Sequence, residues 1–164
     1  MGSGKSTAGK LLAKKLDMKF IDLDEVIENG EKKTIEEIFE KNGEKKFREI
    51  EHHYLKKIIH GNILVLSLGG GTPCYYQNMA LIKKNGTSVY LKMSAGGLFN
   101  RLVNSKKGRP LIKNRTDKDL RAFIETSLAE RKKYYEQADY IVNAINLDIE
   151  QLIKSLKQIR DKVR

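Results

Sequence analysis

Apolar and polar positions alternate between two periods along this chain. Ala8, Leu11, Leu12 and Leu16 repeat at helical spacing and predict a helix over about 4–16. KFID (19–22) reads as a short strand, and 23–29 as a brief helix ended by Asn29-Gly30. Thr34 and Glu37 form a capping box for a helix through Phe39, and a longer helix follows over about 43–60. NILVLSL (62–68) is an apolar run followed by three glycines. That is the pattern of a buried parallel strand ending at a ligand-facing turn. A helix near 76–84 stops at Asn85-Gly86, TSVYLKM (87–93) is the next strand, and 95–103 the next helix. Residues 104–116 are polar and basic and read as a mobile loop. Thr116 and Asp117 start a long helix to about 137, DYIVN (139–143) is the last strand, and a helix over about 147–163 closes the chain.

Strands alternating with helices imply an α/β fold, a parallel sheet with helices on both faces. Ligands in such sheets sit beyond the carboxyl ends of the strands. Three features fall there: Asp22-Leu23-Asp24, Gly69-Gly70-Gly71 and the loop around Asn143. The 164 residues suit one domain with its own core, and 40% hydrophobic against 32% charged residues fits a soluble globular protein. No apolar run approaches ~18 residues, so no membrane span is expected. The first residues are small, polar and glycine-rich, so no signal peptide is expected either. The one cysteine, Cys74, cannot close an internal disulfide, which fits a cytoplasmic protein. The net charge of +11 comes from scattered lysine pairs on predicted helix faces and loops, with no basic run interleaved with aromatics. A solvated surface is expected rather than a nucleic-acid site, with a positive field that draws in phosphate-bearing small molecules. No heptad or exposed apolar strip stands out, so a monomer is expected.

MGSGKST (1–7) has the form of the second half of a phosphate-binding loop, G-x-x-x-x-G-K-[ST], followed at once by an amphipathic helix. In such a loop the backbone of Gly2, Ser3 and Gly4 curls round phosphate oxygens at a helix N-terminus. Lys5 would reach the β and γ phosphates and Ser6, beside Thr7, would ligate Mg²⁺; the plain alternative is a capped turn. Asp22 and Asp24 can point into one pocket, one holding Mg²⁺ through water and one accepting a substrate hydroxyl's proton. They also suit a turn in which Asp24 starts a helix. Phe47, Arg48 and Glu51 share one flank of a helix. They read either as a core Phe beside a surface ion pair or as a site where Arg48 forks onto a substrate carboxylate. Three glycines in LGGGTP (68–73) make sense where a substrate packs on bare backbone. Arg109, in SKKGRPLI (105–112), is placed to close onto a transferring phosphoryl group. Arg131, in AERKKYY (129–135), would by itself read as surface. Adjacent His52 and His53 do not form an i, i+4 zinc pair, Cys74 has no CxxC partner, and Tyr134-Tyr135 reads as packing.

Taken together, MGSGKST, DLDEVIE, IFEKNGEKKFREIE, LSLGGGT and GRPLI…ERKKYY resemble the shikimate kinase family, in that order and over nearly the whole chain. The resemblance implies a single domain over 1–164 with the fold of the small P-loop nucleoside-monophosphate-kinase type: three layers around five parallel strands in order 2-3-1-4-5. Helices over about 23–60 would bind substrate and residues 104–116 would form the lid. It implies transfer of phosphate from Mg²⁺-ATP to the 3-hydroxyl of shikimate, in aromatic amino acid biosynthesis. Gly2, Ser3, Gly4, Lys5, Ser6 and Thr7 would hold ATP, with Ser6 on magnesium and Asp22 and Ser67 in its water shell. Asp24 would bind the shikimate hydroxyls and act as base. Arg48 and Arg131 would take the carboxylate, beside the Gly69, Gly70 and Gly71 backbone, while Phe39, Phe47 and Glu51 shape the pocket. Arg109 would be the lid arginine that bridges the phosphates.

Two departures accompany the resemblance. A family arginine near adenine would fall at Leu102, one residue beyond Arg101. The strand and first glycine that open the family's phosphate loop are absent from this sequence, so Met1 is expected to stand where the family has an internal methionine, leaving strands 3 and 4 with unpaired edges. Two other readings stay open: a nucleotide- or shikimate-binding protein without catalysis, and another kinase of this fold such as a gluconate kinase.

Overall fold

The computed structural model describes residues 2–60, 63–104 and 116–162, the last six by backbone alone. Met1, Asn62, Val163 and most of the expected lid, including Arg109, lie outside the described residues.

Helix α1 (Lys5–Leu16) starts at Gly4, whose φ of 88° is left-handed, and ends at Asp17. It packs on strand β1 (Lys19–Asp22), and Gly9 is needed there, because a Cβ would overlap the Phe20 ring. Asp22 ends β1 and caps α2 (Leu23–Glu31) by accepting the Asp24 N–H at 3.2 Å. Asn29-Gly30 does not end this helix, as the sequence suggests. Gly30 stays helical and its bare backbone makes room for the Tyr54 ring, and Lys32 in the left-handed region stops the helix instead. The Thr34–Glu37 capping box forms, with the Thr34 N–H donating to the Glu37 carboxylate at 2.7 Å and the Glu37 N–H to the Thr34 hydroxyl at 3.2 Å. It opens α3 (Ile35–Ile59), which the non-helical backbone of Gly43 (φ 74°, ψ 171°) divides into two helices, as the sequence predicts.

Strand β2 (Leu64–Ser67) runs parallel to β1, with Asp22 opposite Ser67. A 3₁₀ turn (Thr72–Cys74) and α4 (Asn78–Asn85) follow, then β3 (Val89–Lys92), α5 (Ala95–Val103), α6 (Asp117–Tyr135), β4 (Tyr140–Asn143) and α7 (Ile149–Lys162). β3 and β4 are also parallel. The two pairs, β1-β2 and β3-β4, are the 2-3 and 4-5 halves of the expected order. Among the described residues no strand lies between β2 and β3. Leu64, Val65 and Leu66 are half-buried, where the apolar run predicts full burial.

Each strand pair has its own core. Leu23, Ile27, Ile38, Phe47, Leu55 and Ile82 pack beside β1 and β2. Leu91, Met93, Leu98, Phe99, Leu120 and Ile124 pack beside β3 and β4, with Ala8 of α1 reaching across to them. The lysine pairs have a structural place. Lys14-Lys15, Lys56-Lys57, Lys83-Lys84 and Lys132-Lys133 sit in the last turns of α1, α3, α4 and α6, where cations offset the helix dipole. No helix among the described residues is long and apolar enough to cross a membrane.

Space around Gly43 is open to a Cβ, so its backbone angle alone resists a side chain. Gly43→Ala is expected to cost roughly 1–3 kcal/mol, read as a lowered urea midpoint with an unchanged m-value.

Candidate active site

The phosphate loop keeps a shape that a side chain would strain. Gly2 (φ 66°) and Gly4 (φ 88°) are both left-handed, just before the N-terminus of α1. Arg101 of α5 clamps the loop: one guanidinium N–H donates to the Ser3 carbonyl at 3.0 Å, another to the Ala144 carbonyl after β4 at 3.3 Å. Thr7 is exposed in the first turn of α1. The Ser6 hydroxyl donates to the Asp22 carboxylate at 2.7 Å, and Ser67 lies opposite Asp22 in the strand register. Lys5 is close enough for its charge to act on Asp24.

The second cluster is built around a carboxylate with no route to water. Glu51 is 1% exposed and Arg48 4%. Arg48 donates to Glu51 at 2.9 Å, and the Thr72 hydroxyl donates to the other Glu51 oxygen at 2.6 Å. Glu44, nearly half exposed, takes two further Arg48 donors at 3.2 and 2.9 Å, so these bonds use three of the five guanidinium N–H groups. Burial alone would weaken the Arg48 charge; Glu51 and Glu44 outweigh it and hold the pKa above its usual value. The guanidinium also lies 5.0 Å from the Phe47 ring centre and 4.7 Å from that of Tyr75, and the Phe39 and Phe47 rings are 4.6 Å apart.

The glycine loop closes this pocket. A Cβ on Gly69 would sit 3.1 Å from both the Glu51 carboxylate and the Thr72 hydroxyl and 3.4 Å from Asp24, while one on Gly71 would overlap the Arg48 guanidinium. Asp24, Arg48, Glu51, Gly69 and Gly71 therefore face one space. Arg131 lies on α6, where its charge acts on Cys74 and Tyr135. Burial raises the Cys74 thiol pKa, which makes it a poor nucleophile.

Asp24 is the electrostatic outlier. Burial, then the negative charges of Asp22 and Glu51, push its pKa up to about 6 against the pull of Lys5. The sequence does not show four residues that shape the site. Asn78 is fully buried, donates to the Thr72 carbonyl at 2.8 Å and faces His52 Nδ1 at 2.6 Å. Thr72 braces Glu51, and Tyr135, read from sequence as packing, donates to the Gly70 carbonyl at 2.6 Å. Only Thr72 has a local signal, its place directly after the glycines.

The family model described as shikimate kinase matches residues 1–160. The chain belongs to the shikimate kinase family. It is 43% identical to a shikimate kinase of Azobacteroides pseudotrichonymphae over 95% of this chain and 92% of that one. With one of Bacteroides thetaiotaomicron it shares 40% identity over 97% and 93%. Among solved structures, a B. thetaiotaomicron shikimate kinase superposes with TM-score 0.89 at 39% identity, covering 98% of this chain and 94% of that one. An Acinetobacter baumannii shikimate kinase in complex with shikimate gives 0.86 at 31%, covering 100% and 90%. These likenesses agree with the P-loop kinase fold expected from the sequence.

Two stability measurements test this electrostatic picture. Glu51→Ala leaves Arg48 buried without its innermost partner and is expected to cost roughly 3–5 kcal/mol by urea unfolding. Asp24 has the opposite sign. With its folded pKa raised from 3.8 to about 6, it contributes stability that is full below pH 3.8 and lost as pH rises through 6. Asp24→Asn is thus expected to gain roughly 3 kcal/mol over the parent at pH 7, a gain that fades toward pH 4.

Proposed function

We propose that this chain phosphorylates the 3-hydroxyl of shikimate with ATP, giving shikimate 3-phosphate and ADP, a step toward chorismate and the aromatic amino acids. The observation that carries the reading is the convergence of Asp24, Arg48, Glu51 and the glycine loop beside the phosphate loop. Family membership and the shikimate-bound A. baumannii neighbour support the substrate.

Phosphoryl transfer needs positioning and charge stabilisation more than covalent help from the protein. The loop backbone from Gly2 to Gly4 and the N-terminus of α1 cradle the ATP phosphates, and Lys5 neutralises the β and γ oxygens. Arg48 and Arg131 take the shikimate carboxylate, and Phe39 and Phe47 wall the ring. Asp24 accepts the proton of the 3-hydroxyl as its oxygen bonds to the γ-phosphorus. The bond to the β–γ bridging oxygen breaks, and ADP leaves with that oxygen. A pKa of about 6 suits the task, since Asp24 is mostly ionised at pH 7 yet more basic than an ordinary aspartate. Arg109 serves as the phosphate-bridging lid arginine on sequence grounds alone.

Magnesium fits the donor set. Ser6, Asp22 and Ser67 offer only hard oxygens and one carboxylate, as suits an ion that keeps waters and substrate phosphates as its main ligands. When bound, it neutralises phosphate charge. The reading places the enzyme in the cytoplasm, as a monomer that needs neither nucleic acid nor membrane.

Shikimate-dependent ADP release from Mg²⁺-ATP tests the assignment, with gluconate as the competing acceptor. Turnover with shikimate is expected; turnover with gluconate alone, or shikimate binding without ADP release, would sink it. Asp24→Asn should lower kcat by about 10²-fold or more. In the parent, kcat/KM should fall about tenfold per pH unit below about 6, because the base must be deprotonated.

A further inference from the structure

Three glycines in a row have no side chains to fix them, and their backbone has unusual freedom to lose. Two bonds within the loop hold it locally, from the Thr72 N–H to the Gly69 carbonyl at 3.2 Å and from the Cys74 N–H to the Gly71 carbonyl at 2.9 Å. The Gly70 carbonyl is held from elsewhere. Tyr135, the last residue of α6, donates its hydroxyl to it at 2.6 Å across 65 positions of sequence. The Tyr135 ring is itself seated, 4.7 Å from the Tyr90 ring of β3. Arg131 lies one helical turn earlier, on the same flank of α6.

We propose that Tyr135 is a positioning residue that sets the glycine loop against Arg131, two groups that hold the acceptor substrate. Its hydroxyl has one proton and two lone pairs, so it can donate to Gly70 while accepting from Arg131. Arg131 acts on this hydroxyl, working against the upward pKa shift that burial gives it. The peptide plane carries the effect further. The Gly70 C=O and the Gly71 N–H belong to one trans peptide and point opposite ways. Holding the carbonyl toward α6 turns the Gly71 N–H away from it, and Gly71 abuts the Arg48 guanidinium. One phenol thus orients a backbone donor and an arginine together.

This inference rests on the proposed activity for its kinetic consequence, but not for its structural one. Tyr135→Phe keeps the ring on Tyr90 and removes only the hydroxyl. Shikimate KM is expected to rise about threefold to tenfold, the scale of one lost hydrogen bond, with kcat and the ATP KM within about twofold of the parent. Amide hydrogen exchange across 68–74 should quicken in the ligand-free variant while other segments keep their rates. Unchanged exchange in 68–74 overturns the proposal. So does a general loss of protection with a lowered Tm, which would make the hydroxyl merely structural. If exchange quickens only in 68–74 but the parent does not turn over shikimate, the tether stands and the substrate assignment falls. Quickened exchange with an unchanged KM in an active enzyme rejects the positioning role.

Discussion

Glu51 is a carboxylate sealed from water, and a buried charge of this kind persists only when its lone pairs are occupied. Arg48 and Thr72 occupy them. Because Arg48 belongs to the same helix and Thr72 follows the glycines, this one requirement ties α3 to the glycine loop. The rest of the pocket inherits that alignment. Gly69 and Gly71 must be bare because the ion pair fills the space a side chain would need. Asp24 is made more basic partly because the Glu51 charge lies close by. A lysine could not replace Arg48, since a point charge on a flexible stem lacks the planar fork that reaches Glu44 and Glu51 together.

The other organising constraint is the division of the hydrophobic core. Two clusters form beside two strand pairs, with α1 packed on β1 and β2 and its Ala8 on the second cluster, and polar contacts join them as well. Arg101 reaches from α5 to the phosphate loop, Tyr135 from α6 to the glycine loop, and Lys15 of α1 pairs with Glu150 of α7. The first two end on loops meant to receive ligands.

The periodicity of the chain shows most of this fold. The capping box at Thr34, the strand KFID and the helix ending near Tyr135 are local events governed by short-range rules, and they form where the residues say. Errors arise where a distant residue decides. Asn29-Gly30 reads as a helix stop until Tyr54 is packed against it. At the site, ordered motifs bring out Asp24, Arg48 and the glycines, whose types and spacing carry chemistry. Asn78 and Tyr135 remain hidden because their roles depend on single contacts between residues far apart in sequence. The lysine pairs are visible from composition, yet their placement at helix ends appears only when the helix ends are known.

The loops that align reactants have a thermodynamic role beyond chemistry. A molecule bound to the phosphate loop and the glycine loop together adds its binding free energy to the stability of the fold, by an amount that grows with the logarithm of its concentration. Nucleotide supply is thereby a determinant of how long the folded chain survives proteolysis.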